Sequence, residues 1–187
     1  DKLIVATNVN DILYRCLQTG KYEPSGVVAT SSPSMDIQIS SNFERLIFDL
    51  YDRDGAKTRT LMESLKQDGY FELSPDALDV ARELFIAERV DAEQTAKAIN
   101  EIFEGGGDLV GPHTAVGMAA AERHLGATAM ITLATAHPAK FPDAVKAASG
   151  TEAKLPEELS DLMEREERYD VLANDLETLQ DYIEARV

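Results

Sequence analysis

A short run of small and polar residues, numbers 135–140, carries three groups that could do chemistry. They are the hydroxyl of Thr135, the imidazole of His137 and the ammonium of Lys140. The run follows an apolar stretch with β-branched residues, numbers 129–133, which predicts a strand buried on both faces. Ligands of open α/β sheets usually bind at the carboxyl ends of such strands. Taken alone, each group also has a structural explanation as a helix cap or a turn residue.

Other polar loops occupy residues 8–11, 31–36 and 40–45. Neutral hydrogen-bonding groups with one or two cations suit an anionic, polar small molecule, and Arg45 and Lys140 could supply the positive charge. Surface salt bridges explain these two cations equally well. The composition therefore favours a ligand site without fixing its residues.

The elements that position these loops are read from apolar spacing and cap signals. Ser74-Pro75 and the pair Asp91 and Gln94 are typical helix starts. The triple glycine at 105–107 follows a helix, which favours a helix end over a phosphate loop. Strands are predicted at 2–7, 26–30 and 129–133, and helices at 12–19, 42–52, 58–66, 75–84, 92–104, 112–121, 142–148, from 155–158 onward, and at 169–185.

This order predicts an α/β fold: part of an open, mostly parallel sheet flanked by helices, with a helical carboxyl-terminal extension. The 187 residues are expected to form a single domain, because no linker or repeat divides them. Exposed sheet edges of such a piece could drive self-association.

The charge balance excludes several partners. Lys and Arg number 18 against 34 Asp and Glu, a net charge of -16, which repels nucleic acid and anionic membrane surfaces. The single Cys16 allows no internal disulfide, so a reducing, cytoplasmic location is expected.

Two familiar kinds of catalytic site are not expected. His113 and His124 would lie roughly 16 Å apart on a continuous helix at 1.5 Å per residue, too far to share a metal ion. Cys16 lies on an apolar helix face, where an inert core thiol is expected. No Ser stands in a Gly-x-Ser-x-Gly motif.

Five motifs, in order and spacing, resemble the carboxyl-terminal part of the threonine synthase family, closest to its longer bacterial and fungal form. The resemblance covers essentially the whole chain. The motifs are Asn-Val-Asn-Asp at 8–11, Ser-Pro-Ser-Met-Asp-Ile-Gln at 32–38, Ser-Asn-Phe-Glu-Arg-Leu at 41–46, Pro-His-Thr-Ala-Val-Gly at 112–117 and Ala-Thr-Ala-His-Pro-Ala-Lys-Phe at 134–141.

The resemblance implies a pyridoxal-phosphate enzyme of the tryptophan-synthase-like fold, which converts O-phospho-L-homoserine and water to L-threonine and phosphate. Thr135 would hydrogen-bond the pyridine nitrogen of the cofactor. The polar loops would face the substrate, which makes substrate-side candidates of Asn8, Asn10, Asp11, Ser34, Asp36, Asn42, Arg45, His113, His137 and Lys140.

The sequence also departs from the family. The Schiff-base lysine and the glycine-rich cofactor-phosphate loop of family members lie upstream of the segment that Asp1 begins, and neither motif is present. Lys140 does not match that lysine. We therefore expect a fragment with no catalytic residue of its own. It should be inactive when isolated and should bind the cofactor weakly or not at all. The alternative is a stand-alone, non-catalytic module for anion binding or oligomerisation.

Overall fold

The computed structural model describes residues 2–187 as a larger unit that ends at Lys154 and a smaller one, Leu155–Val187. The prediction of one domain over residues 1–187 stays a prediction. The strands are β1 (Leu3–Thr7), β2 (Lys21–Tyr22), β3 (Phe71–Glu72) and β4 (Phe85–Arg89). The helices are α1 (Ile12–Thr19), α2 (Phe43–Leu50), α3 (Gly55–Asp68), α4 (Pro75–Leu84), α5 (Ala92–Gly106), α6 (Pro112–Glu122), α7 (Pro142–Ser149) and α8 (Leu176–Glu184).

A parallel pair of strands forms the centre of the larger unit. β1 pairs with β4 from Leu3 opposite Phe85 to Thr7 opposite Arg89. The first strand and the α/β class were predicted, whereas β4 was not, because it continues directly from α4 with no turn residue between them. A short antiparallel pair, β2 with β3, lies in the same unit.

Helix α6 covers the parallel strands. Val116 and Ala120 of α6 are fully buried and form an apolar cluster with Val90, to which Ile4 of β1 also contributes. The small side chains of α6 let the helix approach the sheet closely. The start of α6 is thereby fixed near the carboxyl end of β1.

An aromatic stack forms a second part of the core. The ring of Tyr22 lies between Phe43 and Phe71, with ring centroids 5.6 and 4.7 Å away. Its hydroxyl accepts a hydrogen bond of 2.7 Å from the Ser40 amide. Cys16 is buried in the same cluster, and burial raises the pKa of its thiol to about 12, so the prediction of an inert core thiol is confirmed.

The helix starts predicted at Ser74-Pro75 and at Asp91 with Gln94, and the triple-glycine helix end, are also confirmed. The Ser74 hydroxyl accepts a hydrogen bond from the Ala77 amide at the start of α4. Asp91 and Gln94 form a complete capping box at the start of α5. Gly107 ends α5 with a φ of +79°, a conformation that favours glycine.

The predicted strand at residues 26–30 is wrong. The backbone N–H and C=O of Val28 are both bound by the side chain of Asn10, at 2.8 Å each. An amide side chain thus replaces the neighbouring strand that this segment would need.

The predicted buried strand at residues 129–133 is wrong as well. The segment has no strand partner among residues 2–187, and the side chains of Ile131 and Leu133 are 82% and 75% exposed. A parallel strand buried on both faces needs a neighbouring strand and covering layers. Neither is supplied around these two side chains by the described part of the chain.

The smaller unit holds less helix than predicted. α8 begins after Asp175, whose carboxylate accepts hydrogen bonds from the amide and hydroxyl of Thr178. The predicted helix at 169–185 is therefore too long at its start. The start predicted at 155–158 gives only a 3-10 turn, Glu157–Leu159. Within residues 2–187 no helix is both long and apolar enough to cross a membrane.

The aromatic stack predicts a large stability effect. Phe71→Ala should lower the free energy of unfolding by about 3–5 kcal/mol, because it leaves a cavity beside Tyr22. Tyr22→Phe, which keeps the ring and removes only the acceptor for Ser40, should cost about 1 kcal/mol. Urea unfolding followed by circular dichroism measures both. A loss below about 1 kcal/mol for Phe71→Ala would show that the stack is not a main support of this unit.

Candidate functional site

Two of the predicted polar loops meet in one cluster, which we call the Asn–Asp cluster. The Asp36 carboxylate is its centre: Oδ1 accepts hydrogen bonds from the amides of Asn8 and Asn10, at 2.7 and 2.9 Å. Thr30 adds its hydroxyl to Oδ1 and its backbone amide to Oδ2, both at 2.7 Å. The remaining member, Ser32, accepts from Asn8 at 3.0 Å. The loop after β1 and the loop at 30–36 are therefore one hydrogen-bonded body.

The cluster uses most of the hydrogen-bonding capacity of its amides. Asn8 and Asn10 are 4% and 3% exposed, and Asn8 Oδ1 accepts from the backbone amide of Asn10 at 2.8 Å. These side chains hold the protein together at the carboxyl end of β1. Thr30 and Ser32 are not among the sequence-derived candidates. Thr30 falls in the predicted strand at 26–30, and Ser32 is marked only by the polar loop and the motif that contain it.

The hydrogen bonds also change the acidity of Asp36. Burial by itself raises its pKa, but the donors from Thr30 and Asn8, together with the nearby His113, lower the pKa below its ordinary value. The folded protein thus stabilises the ionised carboxylate.

Asp11 belongs to a separate ion-pair group. Its carboxylate lies 2.9 Å from Arg15 Nε and 3.1 Å from Arg89 Nε. Because Arg89 is the last residue of β4, Asp11 links the loop that follows β1 to the end of β4. The structure gives this candidate a structural partner on each side.

The start of α6 brings a third loop to the same place. His113 Nε2 accepts a hydrogen bond of 3.2 Å from the backbone amide of Ser34. The imidazole also packs against the Phe141 ring, with centroids 4.6 Å apart. Gly111 lies beside this loop: a Cβ there would be in ordinary van der Waals contact, 3.4 Å from the Phe141 ring and 3.7 Å from the Ala136 carbonyl.

The segment from Thr132 to Lys140 runs along α6 without forming a strand. A Cβ on Gly117 would come within 3.0 Å of the Thr132 methyl group, so this glycine permits the close approach. His137 Nδ1 accepts from the Ala139 amide and begins the 3-10 turn Pro138–Lys140, which is the turn role considered from the sequence. The Lys140 ammonium lies 5.9 Å from the centre of the Phe141 ring.

Thr135 lies in the middle of this segment. Its side chain is exposed, and its hydroxyl makes no hydrogen bond to any residue that the structure describes. On either side of it in sequence, Thr132 and Phe141 lie against α6. An exposed hydroxyl with no partner among residues 2–187 is available to hydrogen-bond a ligand.

Two candidates lie on a different surface. Asn42 precedes α2 and is exposed, with no side-chain cap bond. Arg45 lines an open groove of about 840 Å³ between α2 and α3 with Phe48, Arg53 and Met62, none of which belongs to the Asn–Asp cluster. The structure does not bring these two residues to the start of α6.

The second histidine considered for a metal pair, His124, lies beyond the end of α6. Its Nε2 is 2.7 Å from Glu88 Oε1, and Arg123 binds the other oxygen of that carboxylate. Burial alone raises the pKa of Glu88, but these two partners lower it below its ordinary value. Residues 2–187 contain no group of three or more His, Cys, Asp or Glu arranged to hold a metal ion.

Comparison with known proteins points to one family. Residues 114–183 match the family model described as "Threonine synthase, C-terminal". The threonine synthase of Pseudomonas aeruginosa is 45% identical over 185 residues, which cover 97% of this chain and 39% of that protein. That of Saccharomyces cerevisiae is 40% identical over 188 residues, covering 87% of this chain and 37% of that protein.

Solved structures agree with this relationship. The threonine synthase of Brucella melitensis, in its pyridoxal-phosphate-bound form, has a TM-score of 0.89 and 51% identity, covering 98% of this chain and 40% of that one. The yeast threonine synthase has a TM-score of 0.83 and 37% identity, covering all of this chain and 42% of that one.

This chain thus spans about two fifths of the length of the relatives that it matches. The matched family model describes a carboxyl-terminal segment, and the motifs at 8–11, 32–38, 41–46, 112–117 and 134–141 occur in a fold shared with solved members. The chain therefore belongs to the threonine synthase family and corresponds to the carboxyl-terminal part of its members.

Proposed function

We propose that this chain forms one wall of the cofactor and substrate site of a threonine synthase, which converts O-phospho-L-homoserine and water to L-threonine and phosphate. The observation that carries this proposal is the similarity, over 98% of the chain at 51% identity, to a threonine synthase solved with pyridoxal phosphate bound. The meeting of three family motifs at the start of α6 supports it.

The cofactor wall of this proposal is Thr135. Its exposed hydroxyl, without a partner in the described part of the chain, fits a role as hydrogen-bonding partner of the pyridine nitrogen. Pyridoxal phosphate, when bound, supplies the electron sink for the chemistry at the substrate's α and β carbons. A hydroxyl at the ring nitrogen does not enforce its protonation, as a carboxylate would, and so sets how strongly the ring withdraws electrons.

The substrate side divides into two kinds of candidates. Asn8, Asn10, Asp11, Asp36 and His113 already bind other parts of the chain, so in this proposal they fix the loops that face the substrate. The exposed candidates near the start of α6 that can reach a ligand directly are Ser34, His137 and Lys140. Asn42 and Arg45 are also exposed, but they lie on the separate surface of α2 and α3.

In this proposal, the rest of the site is formed by the part of a threonine synthase that this chain does not match. The chain covers about two fifths of its relatives, and it lacks the lysine and glycine-rich motifs named above. The exposed, strand-like residues Ile131 and Leu133 are where we place the contact with the remaining part of a threonine synthase. Without that part, the same apolar surface promotes self-association. A cytoplasmic location fits this role and stays a prediction.

The isolated chain should not bind pyridoxal phosphate specifically. Titration of the 187-residue chain with the cofactor should give no saturable imine absorbance beyond that of scattered surface lysines. The proposal of an incomplete site is contradicted if a saturable absorbance appears that a single Lys→Arg substitution removes.

A chimera tests the role of Thr135. We expect activity when this chain replaces the corresponding carboxyl-terminal segment of the Pseudomonas aeruginosa relative. In that chimera, Thr135→Val should lower kcat/KM by about tenfold or more, because it removes one hydrogen bond to the cofactor ring. Phosphate release from O-phospho-L-homoserine measures both.

Thr132→Val is the matched control for this experiment. It makes the same chemical change three residues earlier, and it keeps the methyl group that contacts Gly117. Its activity should stay close to that of the parent chimera. Equal losses for both variants, or unchanged turnover in Thr135→Val, would remove Thr135 from the cofactor site.

The Asn–Asp cluster predicts a pH dependence of stability. Because the folded state lowers the pKa of Asp36, its contribution is present above the pKa of the unfolded chain and is lost as the pH falls through the folded pKa. Asp36→Asn should lower Tm at neutral pH and flatten the fall of Tm in the acidic range. Parallel loss of Tm with acid in both proteins would show that Asp36 does not carry this dependence.

A further inference from the structure

His113 is the side chain shared by two loops of the candidate site. Its Nε2 accepts the hydrogen bond from the Ser34 amide, which belongs to the 3-10 turn Pro33–Met35. Its ring contacts Phe141, which follows the 3-10 turn Pro138–Lys140, with a tilt of 43° between the rings. Both loops therefore depend on one imidazole at the second position of α6.

The Ser34 bond fixes the protonation state of this imidazole. A backbone N–H can only donate, so Nε2 must carry a lone pair, and the proton of the neutral ring lies on Nδ1. Nδ1 is buried and has no hydrogen-bond partner among residues 2–187. An imidazolium would place an N–H at Nε2, facing the Ser34 N–H, and the hydrogen bond would be lost.

The charged groups around the ring come from both loops. Burial lowers the pKa of His113, the ammonium of Lys140 lowers it further, and the carboxylate of Asp36 opposes them; the net pKa lies below the ordinary 6.5. The neutral ring that the Ser34 bond requires is thus the form favoured at neutral pH.

We propose that His113 is a positioning residue, a latch that holds the Ser34 loop against the Phe141 loop only while its imidazole is neutral. In acid, protonation of Nε2 removes the acceptor for the Ser34 amide, so the latch opens on the Ser34 side. The opening is local, because the neighbouring Met35 packs with Val116 and Ile4 in the apolar cluster under α6. This inference concerns the arrangement of the two loops and stands whether or not a cofactor binds beside them.

The test is nuclear magnetic resonance of the 187-residue chain at a series of pH values. The ¹⁵N shifts of His113 should show the Nδ1–H tautomer at about pH 7.5, with Nε2 unprotonated. The hydrogen-exchange protection factor of the Ser34 amide, corrected for intrinsic exchange, should fall about two- to tenfold as His113 takes up its proton. An Nε2–H tautomer, or protection that does not change with His113 titration, overturns the proposal.

Three variants separate the latch from general stability. His113→Gln keeps an acceptor at every pH, so the Ser34 amide should stay protected in acid. His113→Phe keeps a ring against Phe141 but has no acceptor, so protection should be low at every pH. His124→Gln removes the histidine that binds Glu88 and should leave the Ser34 titration unchanged. Protection of Ser34 in the Phe variant, or loss of its pH response in the His124 variant, would contradict the assignment.

Discussion

The parallel pairing of β1 with β4, covered by α6, is the constraint on which the rest of the larger unit depends. The pairing ends at Thr7, so the next residues, Asn8 to Asp11, emerge at the carboxyl edge of the sheet. Because Val116 and Ala120 pack α6 onto these strands, the first turn of α6 is held at a defined place. This layer holds the site loops where their hydrogen bonds form.

The polar residues at this edge serve different purposes. In the Asn–Asp cluster, one ionised carboxylate accepts hydrogen bonds from two buried amides. Loss of one member would leave a buried polar group without a partner, which destabilises the fold. The cluster ties the 30–36 loop to the end of β1, in the position where the Ser34 amide meets His113. Thr135, by contrast, makes no side-chain hydrogen bond within the described residues, 2–187. The residues of the cluster thus hold the loops in place, whereas Thr135 is the residue proposed to contact the cofactor.

Much of this arrangement could be predicted from the sequence. Ser74 and the pair Asp91 and Gln94 fix helix starts through local hydrogen bonds, so their signals do not depend on distant contacts. The apolar pattern at 129–133 predicts a buried strand, and that prediction is wrong. Such a strand needs neighbouring strands and covering layers that residues 2–187 do not supply. The sequence marks Asn8, Asn10 and Asp36 as candidates, but the pairing of Asn8 and Asp36 with Thr30 depends on a loop path that no periodicity encodes. Arg45 was selected by its charge, and the charge alone does not show that it lies in the α2–α3 groove.

The central claim is that Thr135 faces the pyridine nitrogen in a completed threonine synthase site. A crystal structure of the chimera with pyridoxal phosphate bound measures this most directly. The account predicts about 2.7–3.0 Å between Thr135 Oγ1 and the pyridine nitrogen, a hydrogen-bond distance. A ring nitrogen bound by another side chain, with Thr135 out of reach, would contradict it.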